Sequence, residues 1–512
     1  MRAALNKLFL YTQALPARLR HRGLLPALAL LALTGAGAWH DLALLTSHPV
    51  AAGVDGYYYV KQIEHLLTRG KLYYPSNTPL VLYAMSGLAL VTGSAIPAVK
   101  VGVVVLHLLL GLGVFTLVES LTGRAWLGVL GASMTAVSGL RLYMLAEFVN
   151  NLGAITLLVW AACFAVRASQ TRRAFWLCLC GACLLGALFS HRSTAAILFA
   201  IAASALLTRG LMSPEAGGFK KTALCLLVLI VWCAPGAVAL TQSFVELPPI
   251  VRDTFTAIPR WPLRSEILPE ALIVLAASPF CLFMAARTPT ERREGIARLA
   301  FGSVALLGLL FTLNPFFNPA HGWTGAAGRF KGLLYIQAAI LVPGLVWLLS
   351  RGRSLLVPYV AVLVVPLMAL SFMSPLPHGL QPGYLSEREE LIRQLAAQRD
   401  RLGADALVVA PHGDQFVVTY ALDVPSQQRP PESARGLRVY WLLFGVEPDA
   451  LTPGAIVLTK REGFATALVE DGELRQRLAT TGGRESAALF AANRHLRNAY
   501  SSPGGGGTPG GF

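Results

Sequence analysis

The sequence predicts a polytopic α-helical membrane protein of about 11 spans, with a small α/β domain at its C-terminal end. Three observations predict it. The 512 residues are 54% hydrophobic and only 14% charged, against about 25% charged in soluble domains. Apolar runs long enough to cross a bilayer, about 20 residues each, recur over the first three quarters of the chain. Finally, the net charge of +16 is unevenly placed: residues 1–373 carry 29 basic and 12 acidic residues, whereas residues 374–512 carry 14 and 15. A basic excess confined to the loops of the apolar part is what membrane orientation produces. It is not the footprint of a nucleic-acid binder, and no nucleic-acid partner is expected.

The spans are read near 24–43, 97–118, 124–141, 147–166, 175–190, 194–208, 222–241, 269–286, 299–313, 332–350 and 354–373. The stretch Leu80 to Val91 is apolar but short, and is read as a helix lying at the interface. With that choice one set of loops holds 18 basic residues and the other 11. The richer side is expected to be cytoplasmic. Residues 1–23 then form a cytoplasmic N-terminus, 24–373 the membrane domain and 44–96 its first outer loop. Most acidic residues fall on the outer side, including Asp41, Asp55, Glu64, Glu147, Glu246, Asp253 and Glu266. The first span lacks a convincing cleavage site, so it is read as a retained span. A bacterial inner membrane is the expected location.

Residues 374–500 are expected to form an extracytoplasmic α/β domain. Ser386 and Glu389 have capping-box spacing before an amphipathic segment. ALVVA (406–410), QFVVTYAL (415–422), LRVYWLLF (437–444) and AIVLT (455–459) read as strands, and 464–479 as helix. Ser501 to Phe512 is a Gly-rich tail expected to be disordered. Cys163, Cys178, Cys180, Cys183, Cys225, Cys233 and Cys281 all lie in or beside apolar segments, which argues against a disulfide framework. Cys178, Cys180 and Cys183 lack His or acidic companions and read as small buried residues rather than metal ligands. No G-x-x-x-x-G-K-[ST] or strand–GxGxxG–helix unit is present, which argues against ATP-driven work.

The segment that could carry chemistry is GVDGYYYVKQIEHLLTRGKLYYPSNTPL, residues 53–80. It opens with Asp55, followed by Tyr57, Tyr58 and Tyr59, an amphipathic helix, Gly70 as a stop, and Lys71, Leu72, Tyr73, Pro75, Pro79 and Leu80. This segment resembles the GT-C superfold of membrane glycosyltransferases, which includes oligosaccharyltransferases, protein O-mannosyltransferases and the aminoarabinose transferase of lipid A. The resemblance is motif-like over 53–80 and one of layout over about 24–350. It implies transfer of a sugar from a polyprenyl-phosphate donor to a glycan, lipid or protein acceptor, with Asp55 as the base. It also implies a second acid, placed at Glu147 with Asn150 and Asn151 one turn on. Polar or basic contacts follow at His191 and Arg192, and a donor-phosphate site at Arg329 and Lys331. Tyr57 and Tyr58 are expected as substrate contacts or interfacial anchors.

Many relatives carry two adjacent acids at the first site. Here Gly56 follows Asp55, which counts against a two-acid mechanism and a metal site. A divalent metal ion is the only cofactor left open, and no metal ligand is assigned. His412 and Asp414, after a predicted strand, read as a turn. Two rival functions are weighed: a transporter or flippase of lipid-linked precursors, and a non-catalytic scaffold or sensor. Transporters keep ionisable residues near mid-membrane, whereas here nearly all candidate charges are expected at the outer boundary.

Overall fold

The computed structural model describes residues 24–212 (except 77, 192 and 193), 267–313 (except 288 and 290), 332–351, 356–480 (except 431–435, 448–450, 452, 453, 462 and 463) and 489, 492, 493, 495 and 496. The chain forms two compact units. One takes the residues up to Leu44, Ser76–Val81 and Val101–Pro377; the other takes Leu45–Pro75, Leu82–Lys100 and the chain from His378 onward. The first loop therefore folds with the C-terminal domain, a pairing that no local sequence pattern announces.

The helical unit is built from α1 (Leu24–Thr46), α4 (Ala95–Thr122), α5 (Ala125–Val137), α6 (Leu140–Ala146), α7 (Val149–Thr171), α8 (Ala174–Ser190), α9 (Thr194–Met212), α10 (Leu268–Ala285), α11 (Arg292–Leu313), α12 (Leu334–Arg351) and α13 (Leu356–Phe372). The C-terminal unit takes the last two residues of α1 and the start of α4. Leu31, Trp39, Phe175, Phe199 and Phe283 lie exposed on these helices, an apolar exterior suited to lipid. Among the described residues, α1, α4, α7, α10 and α11 are long and apolar enough to cross a membrane, or six spans if α5 and α6 count as one. Four more apolar helices are shorter: α3 (Leu80–Thr92), α8, the Ile197–Met212 part of α9 and the Leu334–Ser350 part of α12. The predicted span 222–241 lies outside the described residues. This is a polytopic helical membrane protein with a small C-terminal sheet domain.

Small residues let the helices approach. A Cβ on Gly131 would sit 2.8 Å from the Ala339 carbonyl oxygen, and one on Gly139 2.2 Å from that of Ser371. Gly139 marks a departure from the straight span expected over 124–141, because α5 and α6 meet at 64°. The break is satisfied from neighbouring helices, as exposed backbone in a bilayer requires. The Gly139 amide donates to Ser371 Oγ at 2.8 Å, and Ser138 Oγ donates to Glu270 at 2.5 Å. Ser371 Oγ also donates to Glu270.

The C-terminal unit holds a five-stranded sheet in the order β2-β1-β3-β5-β4: β1 (Ala406–Val409), β2 (Ser426–Gln427), β3 (Arg438–Val446), β4 (Ile456–Arg461) and β5 (Phe464–Glu470). Strands β2, β1 and β3 are parallel, and β5 joins β3 and β4 antiparallel. Its core gathers Leu407, Val409, Val439, Trp441, Leu443, Val469 and Leu474.

Three sequence expectations are corrected here. QFVVTYAL is helix α15 (Asp414–Leu422), with Phe416, Val417, Val418, Thr419, Ala421 and Leu422 buried. A short helix buried nearly all round reads in sequence like a buried strand. FATALVE is strand β5, and the helix α16 (Asp471–Thr480) starts only after it. The capping box at Ser386 and Glu389 is not used. Helix α14 (Pro382–Ala396) begins four residues earlier, where Pro382 supplies a favourable first turn.

Candidate active site

Helix α2 (Gly56–Arg69) follows Asp55 and ends on Gly70 with φ +68°, the stop read from sequence. Its buried face includes Tyr57, Tyr59, Val60 and Ile63. It packs within the C-terminal unit on α15. The Tyr57 and Tyr420 rings lie 4.6 Å apart, and Tyr58 meets Phe416 edge-on at 5.2 Å. Gln62 donates to the Tyr74 carbonyl at 2.9 Å and accepts from its amide at 3.0 Å. The Tyr74 hydroxyl donates to Thr419 Oγ1 at 3.1 Å. Lys61 is buried and reaches Asp423 Oδ1 at 2.6 Å, which holds the Asp423 carboxyl below the ordinary range, with Arg399 adding to the effect. Polar and aromatic contacts thus tie the first loop to α15.

Tyr57, read as a substrate contact or interfacial anchor, is 2% exposed, and its hydroxyl accepts from the Ala51 amide at 3.3 Å. Burial pushes its pKa up. It supports the turn that carries Asp55. Tyr58 is half-buried in the ring cluster with Tyr59, Tyr74 and Phe416.

Asp55 occupies the N-cap of α2 but makes no side-chain capping bond. An Asp there ordinarily accepts from the first-turn amides, and giving up that bond costs on the order of 1 kcal/mol. Its carboxylate stands instead beside His412, with Nε2 3.2 Å from Oδ1. That is ion-pair distance but off line for a hydrogen bond, and Oδ1 is a buried acceptor that no donor satisfies among the described residues. The other ring nitrogen of His412, Nδ1, is 2.7 Å from Gln428 Nε2. His412 follows β1 and Gln428 follows β2, so both come from the carboxyl ends of parallel strands, where α/β sheets bind ligands. Gly413 has φ +87°, and a Cβ there would fall 2.4 Å from a Val54 methyl, so only glycine lets the two loops approach. The turn read from sequence is present at His412 and Gly413, and the helix begins at Asp414. Asp414 is a helix residue paired with Arg388, and His412 joins Asp55. Nothing local marks His412, because its partner lies far away in sequence.

Of the remaining predicted site residues, the structure describes two. Glu147 ends α6 and His191 ends α8, both half-buried in the helical unit. Arg192, Arg329 and Lys331 lie outside the described residues. Among the described residues no three His, Cys, Asp or Glu side chains cluster as a metal site would need. One carboxylate and one imidazole do not make a divalent-cation cage.

The helical unit also holds a buried charged group. Asp41, read at the outer end of the first span, lies inside α1 and is fully buried. It accepts from Arg141 Nε at 3.0 Å and faces His107 Nδ1 at 3.3 Å and His40 Nδ1 at 3.3 Å. Arg141 Nη1 donates to the Ser138 carbonyl at 2.8 Å. The pair is tolerable in an apolar setting because each charge is met by the other.

No protein-family model matches the sequence, and no curated protein matches it. Among solved structures, the chain is similar to an oligosaccharyltransferase from Archaeoglobus fulgidus, solved with zinc and sulfate, at 10% identity and a TM-score of 0.49, covering 77% of this chain and 62% of that one. It is similar to ArnT from Cupriavidus metallidurans bound to undecaprenyl phosphate, at 13% identity and a TM-score of 0.49, covering 86% and 97%. It is also similar to the arabinofuranosyltransferase AftD from Mycobacteria, at 15% identity and a TM-score of 0.43, covering 80% and 35%. With TM-scores below 0.5, none of these likenesses carries the functional reading, which rests on the chain's own residues.

Proposed function

We propose that the protein is a GT-C-type membrane glycosyltransferase that moves a sugar from a polyprenyl-phosphate donor to an acceptor hydroxyl, with Asp55 as general base. The observation that carries this reading is the state of Asp55. It is a carboxylate at a helix start that gives up its cap, keeps one oxygen buried without a donor among the described residues, and sits beside His412 at the carboxyl ends of the parallel strands β1 and β2. A buried acceptor left unsatisfied is costly, and function is a common reason to keep one.

The chemistry balances simply. The bond between the anomeric carbon and the phosphate oxygen breaks, and its electron pair leaves on the polyprenyl phosphate. The acceptor oxygen forms the new bond to the anomeric carbon and gives its proton to Asp55. A carboxylate nearby also stabilises the oxocarbenium-like charge on the sugar. Cations are needed for the departing phosphate, and Arg329, Lys331, Arg192 and His191 are the proposed candidates. Glu147 is the proposed helper acid. The acceptor is a glycan, lipid or protein, and the proposed side of reaction is the outer face of a bacterial inner membrane.

The buried Asp41–Arg141–His107 group is the observation that favours the rival transporter reading. Three nitrogens of Arg141 are already engaged, by Asp41, Ser138 and His40. A brace at the α5–α6 break accounts for them. Lipid and glycan profiling of a deletion strain distinguishes the two. The transferase predicts accumulation of a polyprenyl-phosphate sugar and loss of one glycan modification, restored by the wild-type gene and not by Asp55→Asn. Restoration by Asp55→Asn contradicts the role of Asp55.

A further inference from the structure

The C-terminal domain holds the first loop through α15. We infer that it completes the catalytic site, with His412 as a positioning residue for Asp55 and Gln428 setting the tautomer of His412. The inference rests on the reading of Asp55 as the base.

The geometry assigns the roles. Gln428 Nε2 carries only hydrogens, so at 2.7 Å from His412 Nδ1 it makes that nitrogen an acceptor. The proton of the neutral ring then sits on Nε2, the nitrogen 3.2 Å from Asp55 Oδ1. A neutral donor holds a carboxylate in place without cancelling its charge, so the carboxylate stays a usable base. A protonated imidazole would hold it more tightly but weaken it as a base. The contact is off line in this state, and such bonds tighten when substrate closes the site. The loop cannot drift, because Gly413 packs on Val54 and the Phe416 ring lies 5.8 Å from His412. Other ionised groups near this loop are Asp414, next but one to His412, and its partner Arg388.

The test has two independent readouts on the purified full-length protein in lipid nanodiscs. The first is labelling of His412 by diethyl pyrocarbonate at one pH, followed by peptide mass spectrometry. A ring bonded at Nδ1 and covered at Nε2 by a carboxylate labels slowly, and Asp55→Ala and Gln428→Ala are each expected to speed labelling by about threefold or more, once a partner is lost. Unchanged labelling in both variants overturns the pairing, whatever the protein catalyses.

The second is turnover of an undecaprenyl-phosphate sugar in His412→Leu and His412→Gln. Loss of an orienting partner of this kind costs roughly 10–100-fold. His412→Leu is expected to lower kcat by that factor with KM within about threefold, while His412→Gln, which keeps an N–H near the same place, stays within about fivefold of wild type. The reverse order, Leu tolerated and Gln inactive, marks a packing role against Phe416 and overturns the positioning role. Faster labelling combined with full transfer by Asp55→Asn overturns the reading of Asp55, and with it the positioning role, while leaving the contact itself standing.

Discussion

Lys61 and Asp423 show what a single residue pair contributes. Lys61 is almost completely buried, and its ammonium is compensated by the 2.6 Å contact with the half-exposed Asp423 carboxylate. Asp423→Asn leaves that ammonium underpaired and should destabilise the unit by about 1–3 kcal/mol, less than the roughly 3–5 kcal/mol for fully buried pairs because one partner is solvated. Adding Lys61→Met should return most of the loss. Thermal unfolding of the two single variants and the double variant measures the coupling. The site itself was only half legible at this scale. Asp55 announces itself through its place after an apolar span and before a tyrosine-rich amphipathic helix. His412 carries no such mark: it becomes meaningful only when β1 and β2 bring it and Gln428 to one edge, beside a loop from the other end of the chain. The burial of Asp41 is likewise unmarked in the sequence. It is made possible by Arg141, a partner that the local pattern does not show.

At the scale of elements, periodicity was a good guide where one face was polar and a poor one where burial was complete. Helix α2 has a polar face, and its Gly70 stop is read correctly, although it starts at Gly56 and takes in the three tyrosines read as preceding it. Helix α15 is buried nearly all round and was mistaken for a strand, while β5 was mistaken for a helix. Strand β3 carries a pH dependence that follows from its cover. The His495 Nε2 donates to the Leu442 carbonyl at 3.0 Å. Burial pushes its pKa down to about 4 from the ordinary 6.5. The unfolded chain therefore binds the proton more readily than the folded one, and stability falls as pH drops from about 6.5 towards 4. The loss by pH 4 is on the order of 3 kcal/mol at about 1.4 kcal/mol per pK unit. Hydrogen exchange of the β3 amides in the full-length protein, corrected for intrinsic rates, should accelerate over that window. His495→Gln should remove most of the dependence.

At the scale of the whole molecule, the membrane class was legible from composition alone, since few soluble chains combine so little charge with repeated apolar runs. The division into units was not, because it joins residues 45–75 to a domain more than 300 residues later. That joining has a topological consequence. The first loop and the C-terminal domain belong to one compact unit and so lie on the same side of the membrane, which requires an even number of crossings between them. The proposed eleven spans satisfy this. Single cysteines at the exposed Arg69 and Ser386, in a protein with its own cysteines replaced, should both react with a membrane-impermeant maleimide from the same side. Labelling from opposite sides contradicts the arrangement.

The central claim is that Asp55 takes the acceptor proton during transfer from a polyprenyl-phosphate donor. It is tested most directly by incubating purified protein in nanodiscs with a panel of undecaprenyl-phosphate hexoses and pentoses and an envelope extract as acceptor, and measuring release of undecaprenyl phosphate. The account predicts release from at least one donor by the wild-type protein and a fall of roughly 100-fold or more in Asp55→Asn, the scale of general-base catalysis, with unchanged thermal unfolding. Equal release by Asp55→Asn and wild type would contradict it.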